Sequence, residues 1–419
     1  MIGRLVVKGF IGGASIAVAL AAETFPKAVD AGTLTGKVMC GYQGWFNCEG
    51  DGASLGWTHW ARRGNRPFGP GNVSVDLWPD MAEYGEGERF ATGFRLADGS
   101  KAEVFSSFKR ATVIRHFQWM RDYGIDGAFV QRFANGVSGG SLRAHKDAVL
   151  SHAREGAKRS GRAYAVMYDL SGFRKGGTAV VREDWRRLRR EMRITEDTAY
   201  LKHERRPLVA VWGIGFNDGR AYTLEECRAL VAFLKKDGCS VMLGVPSWWR
   251  EGERDAVADP QLQRVIALAD VVSPWTIGRY RTPKEAARHA GRNWKPDLAW
   301  CSEREIDFLP VVFPGFSWAN LKRGEKLGAI PRLKGEFLWS QFTAAKRAGC
   351  EMIYVAMFDE VDEGTAIFKC TDTPPRGKGV QFLDVEGLPS DFYLRLTGEG
   401  GRMLRDEIPV TDALPRFRK

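Results

Sequence analysis

Apolar runs and charge-rich segments alternate along most of this chain. From about residue 109 onward, short runs rich in Val, Ile, Ala and Met are separated by amphipathic stretches, a pattern typical of strands alternating with helices. With one further run near the N-terminus, eight candidate strands can be counted. They span residues 37–43, 126–133, 163–170, 207–213, 240–246, 270–275, 307–313 and 351–358.

Four of the intervening stretches have helical spacing, and several end on glycine, as helix C-termini often do. They lie at residues 108–124, 145–161, 223–238 and 336–349. One strand per roughly 35 to 45 residues fits parallel strands joined by helical crossovers. A doubly wound open sheet is the alternative, but GYQGWFNCEGDG after the first strand lacks G-x-G-x-x-G spacing. We therefore predict the α/β class and a single (β/α)₈ TIM barrel, with functional groups on loops after the C-terminal strand ends.

A long insert follows the first predicted strand, since about 65 residues separate that strand from the helix near Phe108. It contains a predicted hairpin over residues 89–107 that turns at Asp98 and Gly99. An insert on the functional face of a barrel commonly shapes a cleft. By domain, we assign residues 1–22 to a signal peptide, 30–395 to the barrel and 396–419 to a polar, partly disordered tail.

The N-terminus has the order of a secretory signal peptide: Lys8, a short apolar run, and small residues ending at Ala21. A membrane anchor is the alternative, but the run is shorter than the roughly 20 residues that span a bilayer. No later segment is apolar enough to span. We expect a secreted or periplasmic monomer with no membrane span in the mature chain.

The formal net charge of +11 suits an anionic partner, and RRLRREMR at residues 186–193 is the densest basic run. Its helical spacing favours a solvated helix face, while an acidic polysaccharide remains a secondary interpretation. The export signal argues against nucleic acid. Seven cysteines form no Cys-x-x-Cys pair, so we expect mostly buried thiols with one or two disulfides.

Four carboxylates crowd into the stretch AMFDEVDEGTAIF, which includes the end of the last predicted strand. Hydrolysis of a glycosidic bond needs one carboxyl group to protonate the departing oxygen and a second carboxylate nearby. Mutual repulsion should raise the pKa of at least one of them. A calcium loop is excluded because its third and twelfth positions, counted from Asp359, are Val361 and Cys370. An acidic surface turn is the remaining alternative, and we predict Glu360 and Glu363 as catalytic residues, with no metal and no cofactor.

Aromatic and polar residues gather at the other predicted strand ends. Aromatic rings suit sugars because they stack on C–H faces, although any single tryptophan of a barrel is about as often core. No His/Cys cluster with metal-ligand spacing occurs. We predict an oligo- or polysaccharide partner bound by Tyr42, Trp45, His59, Trp60, Trp78, Gln131, Tyr168, Asp169, Trp212, Trp248, Trp275, Trp318, Asp359 and Asp362. Further candidates are Gln43, Trp57, Asp76, Asp80, Arg132 and Trp249.

Residues 358–367, FDEVDEGTAI, resemble the motif after the last strand of glycoside hydrolase family 99, the endo-α-1,2-mannosidases, and of the related family 71-like proteins. The family motif is close to Phe-Asn-Glu-Trp-His-Glu-Gly-Thr-Gln-Ile. Both glutamates and the Gly-Thr pair are kept, whereas Asp359, Val361, Asp362 and Ala366 differ. Weaker similarity lies at residues 41–46, 124–130 and 165–172.

The resemblance implies an exported retaining glycoside hydrolase that cleaves α-linked glycans and is endo-acting. In the family, the first glutamate acts on the sugar 2-hydroxyl, which attacks the anomeric carbon to form a 1,2-anhydro sugar. The second glutamate serves as acid and then as base. Carried over, Glu360 is the base toward O2 and Glu363 the acid/base. The altered positions leave sugar and linkage open, and the alternatives are a non-catalytic glycan-binding barrel or a barrel hydrolase of another specificity acting on an acidic polysaccharide.

Overall fold

A computed structural model describes residues 28–417. Its strands are β1 (Val38–Tyr42), β2 (Arg89–Arg95), β3 (Lys101–Phe105), β4 (Gly127–Phe133), β5 (Ala163–Asp169), β6 (Lys202–His203), β7 (Arg206–Trp212), β8 (Ser240–Pro246), β9 (Val271–Trp275), β10 (Asp307–Phe308), β11 (Val311–Val312) and β12 (Ile353–Val355). The α-helices are α1 (Arg110–Asp122), α2 (Gly140–Ser160), α3 (Thr178–Arg187), α4 (Leu224–Lys236), α5 (Gln261–Ile266), α6 (Pro283–His289), α7 (Lys295–Ser302), α8 (Glu336–Ala348) and α9 (Phe392–Leu404).

The main sheet closes on itself through one split strand. Its order is β10-β9-β8-β7-β5-β4-β1-β12-β11, and all the neighbours in this order pair in parallel. The segment that holds β10 and β11 breaks at Pro310, which has no N–H to donate. Just before it, the Leu309 N–H donates to Val272 of β9, and the Pro310 carbonyl accepts from Tyr354 of β12. One segment thus joins both ends of the sheet, and the predicted (β/α)₈ barrel is confirmed.

The core lies inside this ring and between the ring and its helices. β5 and β8 are buried along their whole length, as expected for parallel strands covered on both faces. Helix α1 shows how the helices pack: Val113, Phe117 and Met120, spaced four and three residues apart, are fully buried. The insert after β1 contains the predicted hairpin, formed by the antiparallel strands β2 and β3.

The C-terminal region differs from its predicted boundary. Residue 395 lies inside α9, not at the start of a polar tail. Leu394, Leu396 and Met403 of this helix are fully buried. Charged residues alternate with these apolar ones and gave the segment its polar appearance. One of them, Arg402, forms an ion pair with Glu399. The helix is amphipathic, and the described chain continues past it to residue 417.

All seven cysteines are free and buried, so the expected disulfides are absent from the described part of the chain. The basic run at 186–193 covers the end of α3 and the turn after it. There Arg186, Arg190 and Arg193 form ion pairs with neighbouring glutamates on the surface, as expected for a solvated helix face.

Between residues 28 and 417, no helix has the length and apolar character needed to cross a membrane. The predicted signal peptide, residues 1–22, lies outside the described residues.

Candidate active site

The loop after β12 carries the four crowded carboxylates, and we call residues 358–367 the motif loop. Buried groups from other parts of the chain hold its backbone. Arg332 Nη2 donates a 2.9 Å hydrogen bond to the Gly364 carbonyl oxygen. The backbone N–H of Asp76, in the insert, donates to the Val361 carbonyl oxygen over 2.9 Å. These bonds fix the loop at the C-terminal end of the barrel, where functional groups of this fold lie.

Asp359 anchors the motif loop to the end of the first strand. Its two carboxylate oxygens accept 2.8 Å hydrogen bonds from the backbone N–H groups of Gln43 and Gly44. Burial raises the pKa of this carboxyl to about 7, and the two N–H donors oppose the rise. The prediction that Asp359 contacts substrate is wrong, because the residue is fully buried and its acceptors are occupied by backbone.

Glu360 accepts a hydrogen bond at each carboxylate oxygen. Gln43 Nε2 donates to Oε1 over 2.6 Å, and Thr365 Oγ1 donates to Oε2 over 2.7 Å. Only 4% of the residue is exposed. Burial, followed by the charges of Glu363 and Asp362, raises the pKa of Glu360 well above its usual range, while the two donors oppose that rise. Glu360 is therefore a fixed carboxyl group of high basicity.

Glu363 is placed differently, since its carboxylate has no hydrogen-bond partner within residues 28–417 and is partly exposed. Burial, followed by the charge of Asp362, raises the pKa of Glu363 to about 7. Lys322 opposes this rise and Asp169 adds to it. The Glu363 carbonyl oxygen accepts from the Ser317 N–H over 2.9 Å, which fixes its backbone. A partly exposed carboxyl with this pKa can give or take a proton near neutral pH.

Asp362 pairs with a histidine from the insert. His59 Nδ1 lies 3.0 Å from Asp362 Oδ2, and their side chains are 33% and 3% exposed. The His59 ring stacks on Trp45, with 3.7 Å between ring centroids. Asp362 Oδ1 is buried without a hydrogen-bond partner in the described chain. Three predicted substrate-binding residues thus lie together, and Trp45 and His59 present the partly exposed surface of the group.

Asp169, at the end of β5, shares the electrostatic surroundings of Glu363. The Ser171 N–H donates to Asp169 Oδ1 over 2.7 Å, and burial raises the pKa of the carboxyl. Lys146 of α2 lies nearby, and burial followed by the Arg132 cation lowers its pKa to about 8. Sequence reasoning missed Lys146 and Lys322, because neither lysine belongs to a motif or follows a predicted strand directly.

Partly exposed aromatic rings follow several of the other strands. Trp212 and Trp275 meet edge to face, with 5.3 Å between their ring centroids. Trp275 also approaches Tyr354 of β12, at 6.4 Å between centroids. Trp318 lies under the ammonium group of Lys322, 3.7 Å from the ring centroid. These three tryptophans are partly exposed, and their role as sugar-binding rings stays a prediction.

Four other predicted contact residues lie in the core. Tyr42, Trp60, Trp78 and Tyr168 are each 2% exposed or less. Their polar atoms are bonded inside the protein: Tyr168 Oη donates to Asp184 Oδ2 over 2.8 Å, and Trp60 Nε1 donates to the Phe105 carbonyl over 3.0 Å. The prediction that these four residues bind substrate is wrong, because the insert and the helices cover them.

Gln131 is nearly buried, donates to Tyr354 Oη over 3.1 Å, and keeps its own Oε1 without a partner in the described chain. Trp248 lines a separate cavity whose walls contain no residue of the motif loop.

The further candidates have structural roles. Trp57 and Trp249 are buried, and Arg132 pairs with Asp184. Asp76 binds the backbone of residues 319–320, and Asp80 accepts from the Ala82 N–H in a turn. No group of three or more His, Cys, Asp or Glu within residues 28–417 is placed to hold a metal ion.

The comparisons with known proteins agree with the resemblance of the motif. No protein-family model matches the chain. Glycoprotein endo-alpha-1,2-mannosidase of Rattus norvegicus is 26% identical over 106 residues, which cover 25% of this chain and 22% of that protein. A glycoprotein endo-alpha-1,2-mannosidase-like protein of Mus musculus is 29% identical over 108 residues, covering 25% of this chain and 23% of the relative. The similarity thus spans about a quarter of the curated relatives.

Among solved structures, the GH99 endo-alpha-mannosidase from Bacteroides thetaiotaomicron matches with a TM-score of 0.66 and 16% identity, covering 89% of this chain and 99% of that chain. A structure described as a glycoside hydrolase-like protein matches with a TM-score of 0.51 and 13% identity, covering 80% of this chain and 97% of that chain. At such identities the likeness shows a shared barrel fold. The expected resemblance to glycoside hydrolase family 99 is confirmed.

Proposed function

We propose that this chain is a glycoside hydrolase that cleaves α-linked glycans with retention through a 1,2-anhydro sugar, acting within the glycan chain. The observation that carries the proposal is the unequal environment of the two motif glutamates. Glu360 is bound by two donors, whereas Glu363 has none within the described residues and a pKa of about 7. Two carboxyl groups with separate tasks need such a difference.

In the first step, Glu360 takes the proton of the sugar 2-hydroxyl, and O2 forms a bond to the anomeric carbon. The bond from that carbon to the leaving oxygen breaks, and the leaving oxygen takes the proton of Glu363. The donors Gln43 and Thr365 favour the Glu360 anion before this step. Its raised pKa makes that anion a stronger base than an ordinary glutamate.

In the second step, Glu363 takes a proton from water, whose oxygen attacks the anomeric carbon. The bond between this carbon and O2 breaks, and O2 recovers its proton from Glu360. Two inversions at one carbon give net retention, without a covalent bond between sugar and protein. Asp169 and Asp362 support the acid role, because their negative charges help to keep the proton on Glu363.

The partly exposed tryptophans at the strand ends would hold the glycan. Trp45 with His59, Trp212 with Trp275, and Trp318 offer flat rings to the C–H faces of sugars. The curated relatives are named for cleaving α-1,2-linked mannose, and an α-mannoside is the first substrate to test. We also propose that the chain is exported, on the signal-peptide pattern of residues 1–22.

The decisive experiment combines a panel of α-linked glycans with Glu360→Gln and Glu363→Gln. Each substitution keeps size and removes the ionisable group, so turnover should fall about 10²- to 10⁴-fold while glycan binding persists. Proton NMR of the first product should show the retained anomer. Early release of the inverted anomer would reject the mechanism. Binding without turnover by the unmodified chain, across the whole panel, would instead indicate a non-catalytic glycan-binding barrel.

A further inference from the structure

A cavity beside Trp248 has arginine at five of its eleven lining positions. Its volume is about 370 Å³, within the range of small-ligand sites. The loops after β8 and β9, together with α6 and the turn that follows it, form its walls. We call it the arginine pocket; its charged lining residues are Arg254, Arg279, Arg281, Arg288, Arg292 and Glu285.

Most of this positive charge is not neutralised by protein carboxylates. Arg279 forms an ion pair with Asp255, over 2.7 Å. The side chains of Arg281, Arg288 and Arg292 form no ion pair or hydrogen bond within residues 28–417. Glu285, the one acidic lining residue, accepts from the Arg281 backbone N–H. The pocket therefore has an excess of guanidinium groups that face solvent.

A buried histidine places an unpaired ring nitrogen in the pocket wall. His289 lines the pocket, is 7% exposed, and has a buried Nε2 with no hydrogen-bond partner in the described chain. Burial, followed by the Arg279 cation, lowers its pKa to about 3, so the ring is neutral and carries one N–H. Buried polar atoms of this kind are usually satisfied, so Nε2 is a group that a ligand in the pocket can bond.

Ser247 links the wall of the arginine pocket to the proposed glycan cleft through hydrogen bonds. Ser247 directly precedes Trp248, and its hydroxyl donates to the Trp275 carbonyl oxygen over 2.6 Å. Asn293, another lining residue, donates to the Ser247 carbonyl oxygen over 3.4 Å. Trp275 is one of the rings assigned to the cleft. A glycan that passes over Trp275 could therefore extend toward the arginine pocket on the same end of the barrel.

We propose that the arginine pocket binds an acidic substituent of the glycan, a sulfate ester or a sugar carboxylate, as a subsite for charged substrates. Guanidinium groups bind both oxyanions through paired N–H donors, which makes arginine the suitable residue for either. The inference rests on the proposed function for the identity of the ligand as a glycan. The net charge of +11 would also favour the approach of an acidic polysaccharide.

The test measures binding by calorimetry to the whole chain, without relying on turnover. Three α-linked hexasaccharides serve as probes: 6-O-sulfated mannohexaose, hexagalacturonate, which carries only carboxylates, and neutral mannohexaose. Inorganic sulfate is the fourth probe. The triple variant Arg281→Gln, Arg288→Gln, Arg292→Gln should bind the acidic hexasaccharides about tenfold more weakly or worse, with mannohexaose unchanged. Loss confined to the sulfated probe would identify a sulfate subsite, loss confined to hexagalacturonate a carboxylate subsite, and loss for both a subsite that accepts either group.

The matched control is Arg186→Gln, Arg190→Gln, Arg193→Gln, which removes the same charge from the exposed face at α3. Equal weakening in the control would overturn the proposal, because net charge alone would then explain binding. Acidic probes that bind no better than mannohexaose, or sulfate ion that binds as tightly as the oligosaccharides, would also overturn it. Failure of the glutamate variants to alter turnover would reject the assignment of catalysis to Glu360 and Glu363, while leaving this binding result intact.

Discussion

Gln43 Nε2 and Glu360 Oε1 are joined by a hydrogen bond of 2.6 Å between residues 317 positions apart in sequence. The bond links the loop after the first strand to the motif loop after the last. Gln43 also donates its backbone N–H to Asp359, so one residue positions two adjacent carboxylates. Gln43 is therefore a positioning residue for the proposed base.

Replacing Gln43 by Ala should slow the reaction without weakening glycan binding. Loss of the donor disfavours the Glu360 anion, so we expect kcat to fall roughly 10- to 100-fold and KM to change little. The acidic limb of the pH profile should move to higher pH, since the pKa of Glu360 rises further. Gln263→Ala, at an exposed site, is the control. An unchanged pH profile would contradict the positioning role.

Glu363→Gln should make the protein more stable at alkaline pH. The folded-state pKa of about 7 lies above the ordinary value of 4.5, so the native state binds the proton more tightly than the unfolded state does. Its stability falls as pH rises from 4.5 through 7, and the variant avoids this cost, on the order of 3 kcal/mol. Urea unfolding at several pH values measures it, with Glu325→Gln as the exposed control. A gain at pH 4 equal to that at pH 8 would contradict the explanation.

The pH dependence of turnover should also report the titration of Glu363. The proposed acid must be protonated, so kcat/KM should decline above about pH 7, where Glu363 loses its proton. Steady-state rates on an α-linked substrate between pH 4 and 9 would locate this limb. A rate that stays constant up to pH 9 would exclude Glu363 as the acid.

Asp76→Ala should loosen the segment that carries Trp318. The Asp76 carboxylate accepts from the backbone N–H groups of Ala319 and Asn320, over 2.7 and 2.8 Å, and from the Ser317 hydroxyl. Removal of a buried acceptor leaves these donors unpaired, at a cost of about 2–5 kcal/mol. Urea unfolding should show this loss, and KM should rise. Asp80→Ala removes a carboxylate from an exposed turn and should cost much less.

Tryptophans at strand ends should separate into two classes. Trp318→Ala should raise KM for a glycan about tenfold and leave the melting temperature nearly unchanged, because its ring is partly exposed. Trp60→Ala should lower stability by about 3–5 kcal/mol, because its ring is fully buried. Thermal unfolding with steady-state kinetics measures both. Equal effects of the two substitutions on stability would contradict the assignment of Trp318 to the cleft.

The eight strands were predictable because parallel strands buried on both faces are continuous apolar runs. The break of the seventh predicted strand at Pro310 was not predictable, since it depends on which strands flank that segment in the closed barrel. Sequence position placed Trp60 and Trp78 in the insert, near the first strand's functional end, but could not show that the insert folds back and covers them. Helix α9 was missed because glycine and charged residues interrupt its apolar spacing.

The contact between His59 and Asp362 could not be predicted from the sequence either, since 303 positions separate the two residues. The resembling family has a histidine in its motif where this chain has Asp362. Here an imidazole from the insert lies 3.0 Å from that aspartate. The replacement of the family's motif histidine by Asp362 can therefore be interpreted only together with His59 of the insert.

The neighbouring positions of β1 and β12 have a consequence for biosynthesis. The ribosome releases β1 early and the motif loop late, yet Glu360 and Asp359 are held by Gln43 beside β1. A nascent chain therefore cannot assemble the two-glutamate site until its barrel is almost fully translated. Completion of the barrel and assembly of the proposed catalytic site therefore coincide, so under the proposed function an unfinished chain could not cleave glycans inside the cell that makes it.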